Sequence, residues 1–120
     1  MNWDRLRTYL DEMELAAKEL ENFLSNMTRE DFNRSILVQR AVGMNLLIIG
    51  EASVRLADEF PLFVEEHPEF PWVKIRGMRN RIAHGYLSIN LDTVWQTSKT
   101  AIPDLLDRLH TLRHWRPQGE

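Results

Sequence analysis

Apolar side chains recur at steps of three and four residues from Trp3 to Leu24, which is the spacing that lines one face of an α-helix. The apolar face consists of Leu6, Leu10, Met13, Ala17, Leu20 and Leu24, and the opposite face carries Asp11, Glu12, Lys18, Glu19 and Glu21. Thr28, followed three residues later by Asp31, is typical of the capping box that begins a helix. The pattern predicts an amphipathic first helix with a second helix starting close behind it.

The segment Thr28–Phe60 is predicted to be helical with a break near Asn33, and within it Ile36–Leu56 is apolar nearly all round, as expected of a central helix. Gly43 and Gly50 are seven residues apart, so they lie about 20° apart around the helix axis at 3.6 residues per turn. Glycines on one face allow another backbone to approach closely. Two interpretations stay open: packing within the core, or contact between two copies in a dimer.

Three prolines then mark a connecting stretch: Pro61, Pro68 and Pro71. Residues 62–66 can form a single turn within it. A further helix is predicted to start at Pro71, with Gly85 just past its end and His84 at its C-terminal edge. Residues 86–90 are predicted to form a loop.

A last helix is predicted to begin at Asn90 or Asp92, and Pro103 within it should cause a kink. The chain is therefore predicted to be all-α, with four to five helices in one bundle. We expect a single domain over residues 1–115 and a flexible tail over residues 116–120.

The composition restricts the function classes. Cysteine is absent, which excludes disulfides and cysteine-ligated zinc and favours a reducing, cytoplasmic compartment. The N-terminus has no apolar targeting region, and the longest apolar stretch, Ala41–Val54, is shorter than the ~20 residues of a membrane span, so no membrane association is expected. Because the net charge is −3, any nucleic-acid binding has to come from a local patch.

One such patch exists: four cations lie within eight residues, namely Lys74, Arg76, Arg79 and Arg81. A cluster of this kind suits phosphate groups, which makes Lys74, Arg76 and Arg81 candidate phosphate- or RNA-binding residues. The alternative is a solvated basic face of a helix.

Arg79 and His84 are candidate catalytic residues in the same segment. They are five residues apart, which places them about 140° from each other on an unbroken helix. They could converge if the helix stops at Gly85 and His84 turns back, or across a two-fold interface between two chains, which requires less strain. An arginine and a histidine suffice for RNA cleavage without a metal, because RNA supplies its own 2′-hydroxyl nucleophile.

Glu51 is the only charged residue between Arg40 and Arg55 on the apolar helix. We favour an ion pair of Glu51 with Arg55, four residues on, or with Arg40. The alternative is that Glu51 supports the candidate site by orienting Arg79 or His84.

Cofactor sites are not indicated. His110 and His114 are four residues apart and could share a metal on one helix face, but no third ligand is evident nearby, so no metal site is predicted. The five glycines are scattered and form no phosphate-binding loop, so no nucleotide cofactor is predicted.

The run Arg79-Asn80-Arg81-Ile82-Ala83-His84-Gly85-Tyr86 matches the Arg-X4-His-X-Tyr signature of the HEPN superfamily, in its HepT branch. The chain also resembles that branch at Ile49-Gly50-Glu51-Ala52, at Pro71-Trp72 and at Leu91-Asp92-Thr93-Val94-Trp95. These blocks cover nearly the whole chain in the right order.

The resemblance implies an all-α HEPN bundle that forms a homodimer and acts as the toxin of a prokaryotic toxin–antitoxin pair, a ribonuclease that needs no metal. It implies that Arg79 and His84 are catalytic and that Asn80 supports their placement. The implied partner is an MntA-like minimal nucleotidyltransferase antitoxin, which attaches adenylate to the motif tyrosine, here Tyr86. The alternative is a HEPN module that does not cut RNA and serves only as the dimeric partner and substrate of the nucleotidyltransferase.

Overall fold

The structure is a computed structural model that describes residues 2–114, and no strand occurs in that range. The all-α prediction is confirmed. The predicted tail over residues 116–120 lies outside the described residues, as does Trp115. The helices are α1 (Trp3–Leu24), α2 (Arg29–Arg34), α3 (Ile36–Glu59), α4 (Pro61–Glu66), α5 (Trp72–Gly85), α6 (Leu91–Gln96) and α7 (Ile102–Arg113).

Helices α2 and α3 begin where side chains can accept hydrogen bonds from free backbone N–H groups. Thr28 and Asp31 form the predicted capping box at the start of α2. The predicted break falls at Ser35, whose side chain accepts a hydrogen bond from the backbone N–H of Val38 and caps α3. The Thr28–Phe60 segment is therefore a short helix followed by a long one.

Helices α1 and α3 form the centre of the bundle and run antiparallel. Tyr9, early in α1, donates a hydrogen bond to Glu59 at the end of α3. Further along, the buried Asn45 side chain of α3 donates to the backbone oxygen of Ala16 at 3.0 Å and to Glu19 at 3.1 Å. Around these polar contacts the α1 side chains of the predicted apolar face are buried, including Met13 and Leu20.

By length and composition α3 could cross a membrane, because it has 24 residues and a sufficiently apolar 18-residue window. Half of that window is buried inside the bundle, as in the core helix of a soluble protein. α3 is thus longer than the apolar stretch that the sequence suggested, and it contacts α1, α2, α4 and α5.

Helix α5 lies against α3 and begins after Pro71, as predicted. Gly85 is the last residue of α5 instead of the first residue beyond it. The predicted loop over residues 86–90 contains a 3-10 turn, Tyr86–Ser88, and α6 is capped by the Asn90 side chain.

The last helical segment runs through α6, a π-helical turn (Thr97–Ala101) and α7. The N–H of Ile102 bonds to the carbonyl of Thr97, five residues back. Pro103 follows at the start of α7, and it has no N–H to give to the previous turn. The helix therefore forms a wider, π-helical turn at the position where the sequence predicts a kink.

Candidate functional site

Two glycines of α3 contact two large side chains of the signature, Arg79 and Tyr86. A Cβ atom placed on Gly50 would lie 2.5 Å from Cβ and 2.8 Å from Cγ of Arg79. A Cβ atom on Gly43 would lie 2.6–2.8 Å from three atoms of the Tyr86 ring. Both glycines are buried in the single chain. Of the two interpretations of this pair, the structure shows packing within the chain.

The guanidinium of Arg79 has polar partners on two helices. Its Nε lies 3.1 Å from Oε1 of Glu51 on α3, and its Nη1 donates to Oδ1 of Asn80 at 2.9 Å. The Nε contact is an ion pair without hydrogen-bond alignment, because this buried atom has no hydrogen-bond partner among residues 2–114. The side chain is 25% exposed, so its base is fixed while its tip reaches solvent.

Glu51 therefore pairs with Arg79, and the ion pair that we favoured, with Arg55 or Arg40, does not form. Arg55 instead lies near Glu59 and Arg40 near Tyr86. The sequence ranked Arg55 first because it is four residues away on the same helix. A contact across two helices cannot be read from spacing along one helix.

Tyr86 is half-buried over Gly43, and its hydroxyl donates a hydrogen bond to the backbone oxygen of Gln39 at 2.5 Å. Burial raises the pKa of the Tyr86 phenol above its usual value of 10.0, and the positive charge of Arg40 opposes this effect. The phenol is therefore held neutral and donating. Sequence reasoning missed Gln39, and no residue type signalled it, because Tyr86 contacts the backbone of this residue while the Gln39 side chain donates to the backbone oxygens of Phe32 and Asn33.

His84 lies in the last turn of α5, at the C-terminal edge that the sequence predicted, and is exposed. Because α5 continues to Gly85, His84 does not turn back toward Arg79, and the two side chains stay about 140° apart on one helix. The first of the two predicted routes to convergence is absent. A composite site formed by two chains remains a prediction.

The other cations of the segment point in different directions. Arg76 lies 3.5 Å from Asp58 of α3, on the Arg79 side of α5. Lys74 lines a cavity of about 430 Å³ between α3, α5 and α7, and Arg81 is exposed one turn before the end of α5. The predicted patch is therefore divided between two faces of the helix.

An exposed apolar stripe on α3 leads to Glu51. Leu37 is 80% exposed, Met44 is 56% exposed and Ile48 is 38% exposed. Their spacing of seven and four residues continues with a step of three to Glu51, so all four share one face. We call Leu37, Met44 and Ile48 the α3 stripe.

The two late histidines contact each other. The rings of His110 and His114 lie 4.3 Å apart, and Nδ1 of His114 lies 2.7 Å from the backbone oxygen of His110. Among residues 2–114, no three histidine, aspartate or glutamate side chains are grouped so as to hold a metal ion.

Comparison with known proteins gives the family. The sequence model described as "Ribonuclease HepT-like" matches residues 13–112. The chain belongs to the HepT-like ribonuclease family. Its HepT-like relatives include the protein named "Probable ribonuclease HepT" of Thermococcus cleftensis, which is 34% identical over 107 residues, or 89% of this chain and 94% of the relative.

A second HepT-like relative, from Caldanaerobacter subterraneus subsp. tengcongensis, is named as a candidate RNase and is 34% identical over 99 residues, covering 82% of this chain and 86% of the relative. A third, from Methanocaldococcus jannaschii and also named as a candidate RNase, is 29% identical over 100 residues, covering 83% and 80%. No solved structure matches the chain.

Proposed function

We propose that this HepT-like protein is a metal-independent endoribonuclease, the toxin of a toxin–antitoxin pair, with Arg79 and His84 as its catalytic residues. The observation that carries the proposal is the seat of Arg79: Gly50 fixes its aliphatic stem, while Glu51 and Asn80 orient the guanidinium. A fixed guanidinium at the surface suits a phosphate, which it can hold through two donors. Family membership and the names of the relatives support RNA as the substrate.

The proposed reaction uses the nucleophile that RNA carries. The 2′-oxygen attacks the adjacent phosphorus, a P–O2′ bond forms, and the P–O5′ bond breaks. The products are a 2′,3′-cyclic phosphate and a 5′-hydroxyl. His84 exchanges protons with the 2′-oxygen or with the leaving 5′-oxygen, and Arg79 stabilises the charge that develops on the phosphoryl oxygens. DNA lacks the 2′-hydroxyl and is not expected to react.

The active form is proposed to be a homodimer. Within one chain Arg79 and His84 lie on different faces of α5, so a second chain has to bring the two residue types together. The α3 stripe supports this proposal because it is exposed, apolar and continuous with Glu51, which contacts Arg79. Two copies meeting along this stripe would place both Arg79 side chains beside the same groove.

The proposed partner is an MntA-like nucleotidyltransferase antitoxin that adenylylates Tyr86, with both proteins in the cytoplasm. Tyr86 is two residues from His84, so an added phosphodiester would place negative charge and bulk where the RNA phosphate has to bind. Lys74, Arg76 and Arg81 are proposed to hold flanking phosphates on the two sides of α5.

The test is cleavage of total RNA by the purified protein, with products analysed for cyclic phosphate ends. His84→Ala and Arg79→Ala are expected to abolish cleavage, whereas His114→Ala and Arg7→Ala, matched changes on exposed positions elsewhere, are expected to retain it. A chelator is expected to have no effect. Loss of activity in EDTA that added metal restores would reject the metal-independent mechanism.

A second candidate function is a non-catalytic module that binds and is modified by the nucleotidyltransferase. The observation that favours it is the ion pair of Arg79 with Glu51, which offsets the positive charge that RNA would meet. This candidate predicts RNA left intact by the unmodified protein, together with an adenylate mass increase on Tyr86 when the partner and ATP are supplied.

A further inference from the structure

The Tyr86 side chain is held in a way that conflicts with its use as a nucleophile. Its ring tip lies in van der Waals contact with Gly43, and its hydroxyl donates to the carbonyl of Gln39 at 2.5 Å. A nucleophilic phenol has to lose this proton and direct a lone pair at the incoming group. In the seat formed by Gly43, the oxygen instead faces a backbone acceptor.

The same geometry depends on the phenolic proton. A phosphorus bonded to Oη replaces the proton that the Gln39 carbonyl accepts, so two oxygens that lie 2.5 Å apart would repel each other. The ring cannot shift toward α3 to relieve this repulsion, because not even a methyl group fits between Gly43 and the ring. A modified Tyr86 therefore loses the hydrogen bond that holds it in the seat.

We propose that the seat on Gly43 is a latch: the phenol has to leave it before modification, and modification keeps it out and releases the end of α5 that carries His84. The inference rests on the proposed function, since it concerns how that site is switched. In the transfer step, Oη bonds to the α-phosphorus of a nucleoside triphosphate as the bond to pyrophosphate breaks. The phenolic proton passes to water or to a base of the transferring enzyme.

The end of α5 is expected to become mobile because few buried side chains hold it in place. Ile82 is buried on one side of His84, and the seated Tyr86 follows on the other side. Beyond Tyr86 the chain makes a 3-10 turn and reaches the next buried residue, Ile89. When Tyr86 leaves the seat, the nearest buried residues on the two sides of His84 are Ile82 and Ile89, so its imidazole loses the position that catalysis requires. Charge blockage of the groove and loss of His84 placement are thus two separate effects of one modification.

The seat is tested directly by labelling with 3-fluorotyrosine, because the chain has two tyrosines and Tyr9→Phe identifies the Tyr86 resonance. In the unmodified protein we expect a Tyr86 signal distinct from that of free fluorotyrosine. Gly43→Ala is expected to move it to the free position and to lower its titration midpoint toward the free value. Gly77→Ala is the matched control, since a Cβ on Gly77 meets no atom within 4 Å, and it is expected to change neither quantity.

The coupling to His84 is tested by the imidazole resonances of the four histidines, assigned with His84→Ala. Gly43→Ala and nucleotidylated protein are expected to shift the His84 signal in the same direction, while Gly77→Ala leaves it in place. If Gly43→Ala does not fold, Tyr86→Ala empties the seat without a steric clash and is expected to give the same His84 shift. A Tyr86 signal that is already free in the unmodified protein, or a released Tyr86 with an unmoved His84 signal, overturns the latch.

Cleavage separates this inference from the proposed function. If the unmodified protein cuts RNA, Gly43→Ala is expected to lower kcat at least tenfold without any modification, and unchanged kcat in a variant with released Tyr86 overturns the latch. If no preparation cuts RNA, the proposed function fails, whereas the resonances of Tyr86 and His84 still decide whether the seat couples to the end of α5.

Discussion

Three residues constrain Arg79, one by steric contact and two by polar contacts. Gly50 restricts the stem by contact, and Glu51 and Asn80 orient the polar end. Glu51 is 43% exposed, so water screens the ion pair and the contact is worth at most about 1 kcal/mol. An ion pair of this strength can direct the guanidinium and offsets its positive charge only in part.

Glu51→Gln tests this positioning role. The variant keeps the size of the side chain and removes its charge, so we expect kcat for RNA cleavage to fall by up to about fivefold, the equivalent of about 1 kcal/mol, while KM does not rise. Asp58→Asn, which removes the partner of Arg76, is the control and should leave kcat unchanged. A higher KM with unchanged kcat would show that Glu51 acts only through binding.

Gly50→Ala tests the seat of Arg79. The added methyl group would lie 2.5 Å from Cβ and 3.3 Å from Cα of Arg79, so backbone has to move, and we expect a loss of about 1–3 kcal/mol in the free energy of unfolding. Gly77→Ala in the exposed middle of α5 should instead gain about 0.5–1 kcal/mol, because alanine favours helix. Urea unfolding of the two variants measures both changes.

At the scale of elements, the apolar pattern predicted α1 and α3 because each presents a continuous face to the other. The glycine pair indicated a close approach to α3, but the sequence could not say that Arg79 and Tyr86 fill it, since that depends on how α5 lies across α3. Pro103 indicated an irregular last helix without specifying a π-helical turn. The periodicity of apolar residues along one helix therefore predicted the helices but could not predict which side chains contact each other between helices.

A polar cluster joins the start of α1 to the end of α3. The hydroxyl of Tyr9 and the guanidinium of Arg5 both contact the carboxylate of Glu59. The hydrogen bond from Tyr9, followed by the contact with Arg5, holds the pKa of Glu59 below its usual value. The stabilisation is therefore present above the unfolded-state pKa of a glutamate and is lost as pH falls through the lower, folded-state pKa.

Acid unfolding of Glu59→Gln measures this contribution. The wild-type protein should be the more stable near pH 7, and the difference in unfolding free energy between the two proteins should shrink as the pH is lowered through the acidic range. Glu66→Gln, at the exposed end of α4, is the control. A difference that stays constant with pH would show that Glu59 acts by packing instead of charge.

At the scale of the whole molecule, the site needs two chains if Arg79 and His84 act together. Mixing Arg79→Ala and His84→Ala proteins tests this. In a composite site, a mixed dimer keeps one site with an intact Arg79 and an intact His84, so about one quarter of wild-type activity should return after subunit exchange. Sites that lie within one chain would give no recovery.

The α3 stripe should form the contact between the two chains. Met44→Asp places a charge in its middle, so we expect a monomer in sedimentation analysis, with unchanged helical content and no RNA cleavage. Leu15→Asp on α1 is the matched control, since Leu15 is 61% exposed and lies outside the stripe, and it should remain a dimer. A Met44→Asp protein that stays dimeric would place the interface elsewhere.

Helix α5 carries the signature from Arg79 to Gly85, yet Ile82 is its one buried residue, and its other core contacts are made by partly buried side chains. Such a helix can detach locally at a lower free-energy cost than unfolding of the bundle, and its amide protons should exchange with deuterium before those of α1 and α3. Any molecule that spans α5 and a second chain would suppress this local opening. Slowed deuterium uptake in α5 would therefore record the arrival of RNA or of a regulatory protein, even where the average structure does not move.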